Sequence, residues 1–226
     1  MAGPASAPRL LIAAPLRIEA LLVRAGAPRA TVHRTGMGPA RAREAGSMLR
    51  QAPGDALLVL GFCGGLDEQS RPGEVIVADE LLDDPRPGAG ERGGETGRPA
   101  SLNADSLAAA LGAHGLVPRR GPLVSVARLA LGEQRSELHE GGAIAVDMES
   151  LWLAAGAGTR PLGVVRVVLD SPSHELLRPG AAVGALRAAR VLRRVALALG
   201  DWRPEDIGPS GSAGKGSGPP GRSTNV

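Results

Sequence analysis

Apolar residues fall along this chain in two alternating rhythms, short unbroken runs and longer stretches with a helical period. Leu10–Ala14 and Ala56–Leu60 are continuous apolar runs, and Leu162–Leu169 is apolar throughout except for Arg166. Runs of this length read as strands buried on both faces. Val32–Thr35, Glu74–Ala78, Pro122–Val126 and Ala143–Val146 read as further strands. Between them, helical character is found in Ile18–Arg24, Ala40–Arg50, Ala104–Ala113, Gly132–Glu140 and from Ser150 to about Ala157. Ala181–Leu199 spaces its apolar residues helically and sets arginines on the opposite face. Pro39 is placed in a first helical turn, where its missing N–H costs nothing.

The alternation predicts an α/β fold: three layers, with a mixed central sheet between helices. Functional groups in such folds gather at the C-terminal ends of strands. Asp83–Pro99 is dense in Gly, Pro and Arg and reads as a long surface loop. From Gly208 to Val226 the sequence is Gly, Ser and Pro with scattered charge, too little apolar surface to order itself. The expected organisation is one domain over residues 1–207 and a disordered tail over residues 208–226. No internal repeat is visible.

Composition narrows the function. A length of 226 residues suits one medium domain, and 43% apolar residues suffice for a core. One Phe, two Trp and no Tyr leave that core to Ala, Val and Leu. The net charge is only +3, and no basic block is interleaved with aromatics, so a nucleic-acid partner is disfavoured. The single cysteine, Cys63, excludes an internal disulfide and a multi-cysteine metal site; it has no evident base partner and reads as an inert packed residue. The run Leu10–Ala14 is too short for a signal-peptide core or a membrane span, so a cytoplasmic protein without membrane insertion is expected.

Four segments at strand ends carry candidate chemistry. In Thr35-Gly36-Met37-Gly38 the glycines let a strand turn into a helix, and the free N–H groups of the turn could hold an anion or a ribose oxygen. An ordinary strand-to-helix turn is the plainer reading. Gly61-Phe62-Cys63-Gly64-Gly65 has three glycines that allow a ligand close to the backbone, or a bulge at a sheet edge. In Asp147-Met148-Glu149-Ser150 two carboxylates bracket a methionine. They suit vicinal ribose hydroxyls with Met148 beneath the sugar, or simply acids at a helix N-terminus. Asp170 ends a buried strand and could donate a proton to a leaving group, or turn the chain with Ser171.

Taken together and in this order, these segments closely resemble the nucleoside phosphorylase and nucleosidase superfamily over roughly residues 9–200. Pro72-Gly73-Glu74-Val75 and the opening Leu16-Arg17-Ile18-Glu19-Ala20 match as well. Within it, the chain looks most like the hopanoid-associated phosphorylases, with methylthioadenosine/adenosylhomocysteine nucleosidases and futalosine hydrolases as more distant relatives. The resemblance implies cleavage of the N-glycosidic bond of a purine nucleoside, with adenosylhopane as substrate. It matches Asp170 to the acid that protonates purine N7 and Glu149 to the residue holding the ribose hydroxyls. Met148 matches the residue under the sugar, and Glu19 the acid near the nucleophile. Gly36 and Gly38 match the turn at the phosphate or water pocket, and Gly64 the ligand-facing strand end. No metal or cofactor is implied, phosphate stays open as a co-substrate, and a homo-oligomer is expected.

Two departures weaken phosphate binding: Phe62 stands where many phosphorylases have Ser, and Leu60 where some have Arg. Near Leu129 the chain lacks the aromatic that many relatives stack on adenine. A nucleoside-binding protein without catalysis would need no acid at Asp170. A dinucleotide-binding Rossmann enzyme would need a third glycine after Gly36-Met37-Gly38, which is missing.

Overall fold

The structure, a computed structural model, describes residues 9–86, 102–173 and 181–204. The tail at 208–226, most of the loop expected at Asp83–Pro99, and residues 174–180 lie outside the described residues. Among the described residues, seven strands form one mixed sheet in the order β2-β1-β3-β6-β5-β4-β7. They are β1 (Leu10–Ala14), β2 (Thr31–Arg34), β3 (Ala56–Gly65), β4 (Val75–Asp83), β5 (Arg119–Ser125), β6 (Ala145–Asp147) and β7 (Leu162–Asp170). The helices among the described residues are α1 (Arg17–Gly26), α2 (Pro39–Gln51), α3 (Ala104–Ala113), α4 (Glu133–Glu140), α5 (Ser150–Ala154) and α6 (Ala181–Leu199). A 3-10 turn, Ala155–Ala157, extends α5.

Alternate residues of the central strands feed two cores. Leu10, Ile12, Leu58, Leu60, Val165 and Val167 pack with the inner residues of α3 and α6. Leu11, Ala13, Leu57, Val59, Val164 and Val168 pack with Leu49 of α2 and with Trp152 and Leu153 of α5. This is the period-2 signature of a sheet covered on both faces, and it confirms the expected α/β architecture. A smaller cluster of Val124, Val146, Ala130 and Leu138 lies under α4.

The sheet also curls. β3 pairs in parallel with β1 and β7, then its last residues, Gly64 and Gly65, pair antiparallel with β6. β4 pairs with both β5 and β7, and β5 with β6, so β3, β6, β5, β4 and β7 close a ring. Two strands therefore run past their expected ends. β3 continues through the glycine-rich segment to Gly65 rather than stopping at Leu60, because that segment is extended and paired on both sides. The alternative of a bulge at a sheet edge is thus replaced by a central strand, although its register with β7 does shift between Cys63 and Gly64. β4 runs to Asp83, five residues beyond Ala78, because β5 supplies a partner along that length.

Trp202 fastens the end of the last helix to the rest. Its ring is buried in the core shared by α3 and α6, and its Nε1 donates to Ser106 Oγ at 2.8 Å. Replacing a buried tryptophan by alanine opens a cavity and typically costs about 3–5 kcal/mol. Trp202→Ala is expected to lose stability on that scale in a denaturant titration; a loss below about 1 kcal/mol would show that this corner is not part of the cooperative core.

Candidate functional site

A cleft of about 130 Å³ opens where β3, β6 and β7 end. Its walls bring together Glu19, Gly64, Met148, Glu149 and Asp170, residues far apart in sequence. The cleft also receives Asp147 and Cys63, and much of its remaining wall is apolar, including Leu16, Met37, Val126, Leu129 and Leu169.

Beneath it lies a buried charge cluster centred on Arg166, which has no exposed surface. Its Nη2 stands 2.6 Å from Asp147 Oδ2 and 3.9 Å from Glu149 Oε2. The approach to Asp147 Oδ2 is off the line of a directed hydrogen bond, so charge holds that contact. Arg166 Nε and Nη2 instead donate to Ser150 Oγ at 3.1 and 2.8 Å. The guanidinium fits because residue 61 is glycine: a Cβ there would lie 2.5 Å from Arg166 Nη1 and 2.7 Å from Glu19 Oε1.

Glu19 is buried at the first turn of α1. Its Oε2 accepts from Leu16 N–H at 2.6 Å and its Oε1 from Phe62 N–H at 2.7 Å. Burial pushes its pKa above the ordinary carboxyl value, against the opposing pull of Arg166. Burial also pushes Glu149 up, to about 7, with Asp147 adding like-charge repulsion and Arg166 opposing. Arg166 is held firmly charged: burial works against its charge, but Asp147, Glu149 and Glu19 outweigh it. Cys63 is buried, and burial raises its thiol pKa, consistent with an inert packed residue.

The two readings of the acidic pair divide between its members. Asp147 serves the start of α5: its Oδ1 accepts from Glu149 N–H at 3.1 Å, Ser150 N–H at 3.2 Å and Ser125 Oγ at 2.6 Å. Glu149 turns into the cleft. Its Oε1 accepts from Gly38 N–H at 3.0 Å.

That contact corrects the expectation for the glycine turn. Gly36 N–H is taken by Pro15 O at 3.1 Å and Gly38 N–H by Glu149, so the anion the turn holds is the protein's own carboxylate. Gly36 and Gly38 do not line the cleft; Met37 between them does. Gly38, at φ +91, shapes the turn before α2, whose first residue is Pro39 as expected.

Asp170 also differs from expectation. It is at the cleft, but its Oδ2 accepts from Arg135 Nη2 at 2.5 Å. Arg135 is buried and anchored by Ala130 O at 3.0 Å through Nε. Ser171, the expected turn partner of Asp170, donates its hydroxyl to Ser70 O at 2.9 Å. Arg135, Ser125 and the pairing of Arg166 were not foreseen. One signal was available for Arg135: it stands three residues before Leu138 on α4, and the two are that helix's buried residues.

Glu149 couples the site to pH. Its folded pKa, about 7, lies above the ordinary carboxyl value, so the folded state keeps a proton that the unfolded chain releases. This group's contribution to stability therefore falls as pH rises through that window. Relative to the wild type, Glu149→Gln should gain melting temperature between about pH 5 and about pH 8. A pH-independent difference between the two proteins would contradict the shift.

No curated protein matches the chain. Among solved structures, it is similar to the S-adenosylhomocysteine nucleosidase of Streptococcus pyogenes, with 17% identity and a TM-score of 0.66 over 86% of this chain and 98% of that one. It is also similar to the futalosine hydrolase of Helicobacter pylori, with 15% identity and a TM-score of 0.68 over 87% and 97%. A third match is the methylthioadenosine/adenosylhomocysteine nucleosidase of Colwellia psychrerythraea in complex with adenine, with 18% identity and a TM-score of 0.68 over 87% and 96%. At such identities these likenesses establish a shared fold. The model of the Phosphorylase superfamily matches residues 14–196, most of the chain and every side chain of the cleft described above, and the chain belongs to that superfamily.

Proposed function

We propose that this chain hydrolyses the N-glycosidic bond of a purine nucleoside. The observation that carries the reading is the gathering of Glu19, Glu149 and Asp170 in one largely apolar cleft. Breaking the bond from C1′ to the purine leaves positive charge on the ribose ring and sends the bonding electrons into the base. Asp170 relays a proton from solvent to N7 of that base. With Oδ2 held by Arg135, Oδ1 is the oxygen free to face it. Glu149, ionised, accepts from the ribose hydroxyls, and Met148 supplies a soft apolar surface for the sugar. Water attacks C1′ and loses a proton to Glu19, whose raised pKa makes it a stronger base than an ordinary carboxylate. Both acids return to their starting states by exchange with solvent.

Water is favoured over phosphate by the charges around the cleft. Among the described residues, Arg135 lines the cleft and Arg166 lies beneath it, and both are committed to carboxylates. A phosphate dianion there would meet the carboxylates of Glu19 and Glu149 with no unpaired guanidinium to hold it. Phe62 presents its backbone N–H to Glu19, which removes that donor as well.

The substrate within this class is a nucleoside with a large apolar 5′ group, adenosylhopane in keeping with the sequence resemblance. The apolar lining supports this, and Met37 and Leu129 are each more than half exposed. Burying a polycyclic group gains about 25 cal/mol per Å² of apolar surface.

Release of free adenine, followed by chromatography, tests both levels. Glu19→Gln and Asp170→Asn should each lower turnover by about 10²–10⁴-fold while nucleoside still binds. Near-wild-type turnover in either variant would remove that residue from the chemistry. Nucleosides with bulky apolar 5′ groups should show much higher kcat/KM than adenosine. The solved neighbours include nucleosidases for methylthioadenosine and adenosylhomocysteine and a futalosine hydrolase. A preference for one of those compounds would assign the chain to such a group and reject the hopanoid substrate.

A further inference from the structure

Helices α1 and α6 pack side by side, Gly26 lying against Arg193 and Ala196, and their outer faces form one continuous surface. On α6 the exposed residues include Val183, Leu186, Arg187, Arg190, Arg193, Arg194 and Leu197, whose spacing keeps them on one stripe. On α1 they include Arg17, Ile18, Leu21 and Arg24. The five apolar side chains among these are each more than half exposed. α6 carries four arginines and no acid. The one acid of α1, Glu19, is buried and faces the cleft. A surface cavity between the two helices is lined by Arg190, Arg193, Arg194 and Leu197. Among the described residues none of these arginines has an acidic partner.

We propose that this face docks on an anionic phospholipid bilayer. Two features choose that occupant. Guanidinium groups pair with phosphate headgroups, and the interleaved aliphatic side chains can enter the acyl boundary, the combination found on interfacial helices. A second copy of the chain fits poorly, because two-fold pairing would set arginines against arginines with no acid to meet them. Residues 208–226 fit no better: they contain no acid, and Lys215 and Arg222 add positive charge. Contact with the bilayer is peripheral, since no helix among the described residues is long and apolar enough to cross a membrane.

The face reaches the cleft. Leu16 and Glu19, at the first turn of α1, line the cleft, while Ala25 and Gly26, at its other end, line the arginine cavity. Ten helical residues span about 15 Å, so a bilayer on this face lies next to the cleft mouth. The inference rests on surface chemistry; it draws on the proposed lipid-linked substrate only for why such docking would serve the reaction.

Co-sedimentation of the full chain with vesicles is the test. Protein should bind vesicles of phosphatidylcholine with about one third phosphatidylglycerol, and not vesicles of phosphatidylcholine alone. Binding should weaken with added salt. Each arginine near an anionic surface strengthens binding about fivefold, so the triple variant R190A/R193A/R194A should lose about a hundredfold. L186S/L197S, with its charge intact, should also bind more weakly. Cleavage of soluble adenosine, measured on the same preparations, should be unchanged in both variants. A failure of the catalytic reading is therefore visible separately from a failure of this one. No binding to the anionic vesicles, equal binding to neutral ones, or an undiminished triple variant would overturn the proposal. So would duplex DNA binding that matches the vesicles and ignores L186S/L197S.

Discussion

The candidate site depends on one buried guanidinium. Arg166 sits in the middle of β7 with no exposed surface and faces Asp147, Glu149 and Glu19. A buried carboxylate without a partner is costly, and removing one member of such an arrangement typically costs about 3–5 kcal/mol. Here a single cation serves three acids, and the imbalance has consequences. Asp147 takes the short contact, while Glu149 and Glu19 share the remainder and are pushed upward by burial. Of the three acids around it, Glu149 and Glu19 are the ones the guanidinium satisfies least. Gly61 makes the arrangement sterically feasible, since any side chain there would collide with both Arg166 and Glu19.

The curl of the sheet brings these groups together. β3 leaves β1, follows β7, and then pairs with β6 through Gly64 and Gly65. That switch sets the ends of β6 and β7 on either side of β3, and Asp147 and Asp170 both line one cleft. α1 adds Glu19 from one side. The turn before α2 adds Gly38, which holds Glu149 across 111 residues of sequence. Two ion pairs divide the cleft into an end around Arg166 and an end at Asp170 and Arg135.

Much of this fold is legible in the residues. Ala104–Ala113 forms a helix with the boundaries its periodicity implies, and α6 ends at Leu199, where its apolar stripe ends. Strands buried on both faces are visible as unbroken apolar runs, as at Leu10–Ala14. Less visible is what depends on a partner. Gly61–Gly65 resembles a loop by composition and is strand because β6 and β7 pair with it. Glu19, Met148, Glu149, Asp170 and Gly64 were identified by motif and do meet at the cleft. Their hydrogen-bond partners were not legible. The glycine turn looked like an anion site, and only its position shows that Glu149 fills it. Arg135 belongs to none of the motif segments, and only the chain path places it on Asp170.

The commitment of both arginines to carboxylates is the physical reason to expect water as the nucleophile. Cleavage of adenosine in heavy-oxygen water with phosphate present at saturating concentration tests this most directly. The account predicts free ribose carrying the heavy oxygen at C1 and a rate indifferent to phosphate. Unlabelled ribose 1-phosphate, formed at a rate that rises with phosphate, would contradict it.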